Sequence, residues 1–362
     1  MRVWRRRGDV AQVYVFDPVH ATACRFMSGI LLLAGGQCII RLQLIRSRWQ
    51  RPRLHFSGVP TPNSDVNEFA ILDQADAASA FRHMTFPAYQ HLLDFDSSRP
   101  APLAIAVRNE ADSTGLALAY PAADNAADLL SVFVESGARG QGLGTELVRR
   151  IESVCMTRGV KKLTATYMTG QPGTEAVERI FALTGWSEPH TRMLVVRCSL
   201  DSIKSAPWMK QYRLPEGYEI LSWIDVSAQE RREIMESHKA EAWIAADLVP
   251  FDFEQDIEPI TSIALRVRGR ILGWCLNHVI GDVLRYTCSF VRRDLQRLGR
   301  ILLLYNEAVA RMPRARLSVG SWTVPVWHAG MANFARKHMQ PYSIFFGETR
   351  GVEKSIATGA LQ

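Results

Sequence analysis

The sequence predicts an α/β protein built as two tandem domains, each a mixed sheet flanked by helices. Three observations carry this. The chain has 362 residues, which suits two domains at about 150 residues each. Hydrophobic residues make up 47% and charged residues 22%, the ordinary balance of a globular chain with a packed core. One order of elements, helices then three strands then helix–strand–helix–strand, occurs twice along the chain, as a duplication at domain scale would give. The expected borders are a basic, poorly ordered extension over 1–53, a first domain over 54–204, a linker over 205–217 and a second domain over 218–362.

Taken in order, residues 67–93 carry apolar side chains at roughly helical spacing (Phe69, Leu72, Ala75, Ala78, Phe81, Met84) up to Pro87, and predict two helices. Residues 102–107 and 115–120 are apolar runs of strand length on either side of a turn-rich segment. A strand over 129–134 runs into a glycine-rich segment and then a helix over 142–158, which Gly159 stops. A strand (162–167), a helix (174–183) and a strand (193–198) complete the first copy. The second copy predicts a strand over 218–223, helical segments over 228–245, and strands over 263–267, 271–278 and 283–291. A helix over 298–311, a strand over 317–320, a helix over 325–338 and a strand over 342–346 close it.

Charge narrows the partners. The net charge is +7, yet residues 1–53 hold ten arginines and two aspartates, so the remainder sums to −1 and offers no basic field for nucleic acid. Arg2, Arg5, Arg6 and Arg7 stand too far ahead of the apolar run 27–34 for an export signal, Met27 is an alternative start, and no stretch reaches the roughly 18–20 apolar residues of a membrane span. Six scattered cysteines (Cys24, Cys38, Cys155, Cys198, Cys275, Cys288) form no C-x-x-C pair, and no histidine cluster has metal spacing. The expectation is a cytoplasmic protein with thiols kept reduced, no metal, no nucleic acid and no membrane.

The segment that carries chemistry is Val132-Phe133-Val134-Glu135, followed after three residues by Arg139-Gly140-Gln141-Gly142-Leu143-Gly144-Thr145. It lies where a strand gives way to a helix. Such a junction aims unpaired backbone N–H groups beyond the strand, and the helix dipole adds roughly half a positive charge. Three glycines remove the Cβ atoms that would hold an anion off the backbone, and the Thr145 hydroxyl adds a donor. This predicts a diphosphate site. A dinucleotide fold needs G-x-G-x-x-G and an acidic residue about twenty positions later, and a kinase-type loop needs Gly-Lys-Ser/Thr; neither is present. On the motif alone, a glycine-rich helix start without a ligand stays open.

Arg139-Gly-Gln-Gly-Leu-Gly144 resembles the Arg/Gln-x-x-Gly-x-Gly/Ala motif of the GNAT superfamily of N-acetyltransferases, and so does the Val132-x-Val134 strand end five residues before the arginine. Downstream, Val177-x-x-x-Phe181-x-x-x-Gly185-Trp186 resembles that family's second helix motif, usually Ala-x-x-x-Tyr-x-x-x-Gly-Phe. The resemblance implies an α/β (α+β) fold of two tandem GNAT-like domains, each a mixed, mostly antiparallel twisted sheet flanked by helices. It implies acetyl-CoA as co-substrate: Val132, Phe133 and Val134 pair with the pantetheine arm, Arg139 to Thr145 hold the pyrophosphate, and the next strand splays away to open a slot. Thr174, where the family often has Asn, reaches the cofactor or caps its helix.

The reaction implied is direct attack of an amine on the thioester, with a base removing the amine's extra proton. Asp128, eleven residues before Arg139, stands near the family's glutamate base; Glu135 is a second candidate. Phe181 replaces the tyrosine that protonates the leaving thiolate, and Tyr167 is a candidate substitute. In the second copy Gln296 and Gly299 match the motif, but Arg297 replaces Gly140, Ile301 replaces Gly144 and Arg285 replaces Asp128, so it is expected to be cofactor-poor. His238, Trp243, His278, Trp322, Trp327 and His328 read as packing residues, Trp327 inside the helix over 325–338. The expected function is N-acetyl transfer to a small-molecule amine or a protein amine by a monomer or homodimer. The alternatives are a non-catalytic acyl-CoA-binding protein and nucleic-acid binding through residues 1–53.

Overall fold

The structure, a computed structural model, describes residues 67–109, 112–209 and 213–356; the readings placed on residues 1–53 lie outside them. The chain forms two compact units, one reaching His190 and resuming at Thr349, the other spanning Thr191–Glu348. Twelve strands are described: β1 (Asn67–Leu72), β2 (Leu103–Asn109), β3 (Asp112–Pro121), β4 (Ala126–Val134), β5 (Lys162–Met168), β6 (His190–Ser199), β7 (Tyr218–Ser222), β8 (Ile263–Val267), β9 (Arg270–Ile280), β10 (Val283–Val291), β11 (Val319–Pro325) and β12 (Phe345–Ser355).

In the first unit the strand order is β1-β2-β3-β4-β5-β12. All pairs are antiparallel except β4 with β5. Two helices matter for the site: α1 (Leu143–Thr157) and α2 (Thr174–Leu183). Helix α1 buries Leu143, Leu147, Val148, Ile151 and Cys155, a single stripe at helical spacing. It stops where Gly159 takes φ 77°, a left-handed conformation that only glycine adopts without penalty. One sheet face packs Leu147, Ile151 and Leu163 into a core; the other packs Phe81, Met84, Leu93 and Leu118.

The second unit repeats the plan in the order β6-β11-β10-β9-β8-β7, with β10 and β11 as the parallel pair. Its long helices are α3 (Ala228–Glu241), closed at its start by a Ser227–Glu230 capping box, and α4 (Ile301–Arg311). Tyr305, Leu304 and Trp322 lie in the core on one face of the sheet, and Trp223, Trp274 and Phe290 on the other.

Several expectations are corrected. Residues 67–72 form a strand, not a helix: all six pair with β2, and cross-strand hydrogen bonding overrides a helical spacing this short. The units part at His190/Thr191 rather than in the 205–217 segment, and residues from Thr349 onward belong to the first unit. The last strand runs over Phe345–Ser355 rather than 342–346, because Glu348, Arg350, Glu353 and Lys354 break the apolar signal. Two of those charges are satisfied inside the first unit: Lys354 Nζ donates to Glu152 Oε2 at 2.6 Å and to the Thr184 carbonyl at 2.5 Å, and Arg350 Nη1 donates to Glu178 Oε1 at 2.8 Å. Trp327 precedes its helix (Ala329–Phe334), is 59% exposed, and donates through Nε1 to Asp247 at 3.1 Å.

Among the described residues no helix is long and apolar enough to cross a membrane, and no group of three or more His, Cys, Asp or Glu is arranged to hold a metal ion. Cys155, Cys198, Cys275 and Cys288 are buried and unpaired, and desolvation lifts the Cys155 thiol to about 12.

Candidate functional site

The site forms where β4 leaves β5. The two strands pair only from Ala126–Lys162 to Leu129–Ala165, although β4 continues to Val134 and β5 to Met168. The register of β4 against β3 shifts between Leu118–Ser131 and Ala119–Leu129, which leaves Leu130 as an extra residue. A bulge bends its strand and increases the local twist, here just where the ladder to β5 ends. One edge of β4 stays bonded to β3 as far as Val134. Its other edge, over Leu130, Ser131, Val132 and Phe133, faces the opening. The buried Ser131 hydroxyl is paired with Thr85 at 2.8 Å.

At the mouth of that opening the chain turns into α1. Gly140 and Gly142 both take φ 81°, and an added Cβ at either would meet nothing within 4 Å, so backbone conformation, not crowding, demands glycine there. Gly144 is glycine for another reason: its Cβ would stand 2.8 Å from Ile180 Cδ1, so it lets α1 approach α2. The Arg139 side chain folds back, its Nε donating to the Val134 carbonyl at 2.9 Å, and locks the strand end to the loop. The first helical bond runs from Glu146 N–H to the Gly142 carbonyl. Among the described residues none of the amides from Gly140 to Thr145 donates to a backbone carbonyl, and Gly140, Gln141 and Gly142 are exposed. Six successive donors at a positive helix end are able to receive an oxyanion.

The predicted acid–base residues take distinct places. Asp128, half-buried on β4, accepts a hydrogen bond at Oδ1 from the Thr164 hydroxyl across the β4–β5 pair. Glu135 lies at the outer end of β4 with His83 Nε2 at 3.3 Å from Oε1. Tyr167 is buried, its hydroxyl donating to Glu178 Oε1 at 2.8 Å, and burial pushes its phenol well above the ordinary value. Phe181 packs between Tyr167 and Trp186, with ring centres 5.8 and 4.9 Å away. The α2 N-cap is Gly173, not Thr174. The Thr174 hydroxyl instead closes the loop after β5, accepting from Gln171 N–H at 3.1 Å and donating to the Met168 carbonyl at 3.2 Å. Glu178 and Arg350 were not legible as part of this network, because their partners stand up to 172 residues apart.

Residues 71–179 match the model of the acetyltransferase (GNAT) family. Over that span the first unit resembles a GNAT domain. Among solved structures, a tandem GNAT protein from the clavulanic acid biosynthesis pathway superposes over 81% of this chain and 99% of its own, at 15% identity and TM-score 0.52. A GCN5-related N-acetyltransferase from Sphaerobacter thermophilus superposes over 80% and 96%, at 16% identity and TM-score 0.52. These likenesses show the fold, a tandem GNAT architecture. No curated protein matches the chain by sequence.

The second GNAT-like unit keeps the frame of the first and closes its opening. Gln296 Nε2 donates to the Val291 carbonyl at 2.8 Å, repeating the Arg139–Val134 lock. The β10–β11 ladder likewise ends early, at Tyr286–Trp322. Beyond that point the likeness fails. The amides of Leu298, Gly299, Arg300 and Leu302 all donate to nearby carbonyls, so the loop satisfies itself. Tyr286 stacks on Trp322 at 4.1 Å, Tyr305 packs edge-on to both, and all three are buried. The positions level with Tyr286 and Trp322 in the first unit are Leu129 and Ala165. Both pairs are buried, and the second unit holds the bulkier side chains.

Proposed function

We propose that the chain is an acetyl-CoA-dependent N-acetyltransferase whose cofactor lies in the first unit. The observation that carries this is the run of undonated amides from Gly140 to Thr145 at the mouth of the β4–β5 opening. Acetyl-CoA supplies the thioester carbonyl that an amine attacks. Val132, Phe133 and Val134 present the β4 edge to the pantetheine arm, while Arg139, Gly140, Gln141, Gly142, Leu143, Gly144 and Thr145 surround the pyrophosphate. Thr174 supports the loop beside that path through its bonds to Gln171 and Met168. The acceptor is a small-molecule or protein amine, and the protein works in the cytoplasm as a monomer or homodimer without metal.

Asp128 is the base in this reading. The Thr164 bond orients its carboxylate, which takes a proton from the incoming ammonium. Replacing it with asparagine keeps an acceptor for Thr164 but removes the base, and kcat is expected to fall roughly 10²–10⁴-fold with little change in the Kd for acetyl-CoA. Stopped-flow thiol release and calorimetry measure the two quantities; an unchanged kcat moves the role to Glu135 or to water. Tyr167 is the candidate acid, but its hydroxyl already donates to Glu178 and CoA thiolate leaves readily. Tyr167→Phe is therefore expected to cost about 1 kcal/mol of stability and to change kcat less than about threefold, as urea unfolding and steady-state assays would report.

One observation favours a second reading. Phe181 has no proton to give and Tyr167 is already engaged, the arrangement of a non-catalytic acyl-CoA-binding protein. An amine panel separates the two: binding without thiol release from any amine supports the second.

A further inference from the structure

On one face of the second unit's sheet, register aligns His278 on β9, Arg285 on β10, Ser321 on β11 and Arg197 on β6 in a lateral row. Neighbours in register point to the same side of a sheet. Here that is the side away from the aromatic plug, since Leu284, Tyr286, Trp322, Val196 and Cys198 take the opposite face. Arg285, Ser321 and Arg197 are each half-buried. The Nε atoms of Arg285 and Arg197 are buried without a hydrogen-bond partner, and among the described residues no carboxylate pairs with either guanidinium and nothing bonds the Ser321 hydroxyl. Burial alone pulls the Arg285 pKa down, with no neighbouring charge opposing it. Arg197 has only the Phe345 ring, 5.5 Å from its guanidinium carbon.

The matching row of the first unit is Tyr120, Asp128, Thr164 and Glu353, and it satisfies itself: Thr164 donates to Asp128, and Lys162 pairs with Glu353 at 2.6 Å. The duplicated frame thus carries carboxylates at these positions in one unit and guanidiniums in the other. Partly desolvated guanidiniums without an anion are unfavourable. Arg285 and Arg197 stand two strand spacings apart, about 10 Å between Cα atoms, with Ser321 between them in register. The planar fork of arginine matches an oxyanion.

We propose that the second unit binds a small oxyanion, a carboxylate or phosphate group, between Arg285 and Arg197 with the Ser321 hydroxyl as third donor. This stands apart from the cofactor assignment: it concerns other residues in the other unit, and it survives if acetyl-CoA does not bind. The test is thermal unfolding of the full chain with inorganic phosphate or acetate added at ionic strength matched with chloride. A saturating rise in Tm of roughly 3–5 °C is expected, and which anion acts at lower concentration separates the two sources. Arg285→Met and Arg197→Met should abolish the rise while leaving Tm in chloride unchanged or higher, since each removes an uncompensated charge. Arg300→Met, outside the row but also with a buried Nε, should retain it. If neither anion raises the wild-type Tm, or if the rise survives both row substitutions, the proposal is overturned. Should the methionine variants fail to fold, Ser321→Ala with a phosphorus NMR titration decides: weaker phosphate binding than wild type supports the site, and equal binding removes it.

Discussion

Gly142→Val is expected to weaken acetyl-CoA binding at least tenfold while leaving the fold intact. Gly142 takes φ 81° with nothing within 4 Å of an added Cβ, so valine meets no steric wall. It meets a backbone conformation that costs about 1–3 kcal/mol for a branched residue. The chain relieves that strain by turning the peptide, which rotates the amides of Gly142 and Leu143 away from the pyrophosphate. Losing two charge-assisted hydrogen bonds at about 1.5–3 kcal/mol each easily exceeds the 1.4 kcal/mol of a tenfold change. Gly144→Val is the contrasting variant. Its Cβ would approach the Ile180 Cδ1 methyl to 2.8 Å, so Ile180 must repack between α1 and α2, and overpacking is expected to cost about 1–3 kcal/mol of stability. Calorimetry with acetyl-CoA and urea unfolding by circular dichroism read the two effects. Wild-type affinity in the Gly142 variant would remove the pyrophosphate assignment.

Trp322→Ala is the stability counterpart, expected to cost the second unit about 3–5 kcal/mol. Trp322 is buried, stacked on Tyr286 and edge-on to Tyr305. Gly320 fits beneath it so closely that a Cβ there would stand 3.0 Å from the indole, so little is free to collapse into the void. Circular dichroism during urea titration should show the second unit unfolding at lower denaturant while the first keeps its transition. A loss below about 1 kcal/mol would mean that the three aromatic rings are not a close-packed plug.

These variants mark what each level of description supplies. The glycine-rich loop was readable because its information is local. A strand period, three glycines at fixed spacing and a helical stripe lie within about twenty residues, and the structure adds only that Gly140 and Gly142 serve φ while Gly144 serves packing. Most strand and helix positions were legible for the same reason. Residues 67–72 and 345–355 were not, because a β-strand is held by partners remote in sequence and its charged residues find counter-charges only after folding, as Lys354 finds Glu152.

The sequence by itself determined the repeated element order, the glycine-rich helix start and the loss of glycines in the second copy, all properties of contiguous residues. Only the tertiary structure decided that residues from Thr349 onward join the first unit's sheet, that Tyr286, Tyr305 and Trp322 meet to fill the second unit's opening, and that Arg197 stands level with Arg285. Register between strands fixes those neighbours, and register is set by the burial of whole sheet faces rather than by any short stretch of chain.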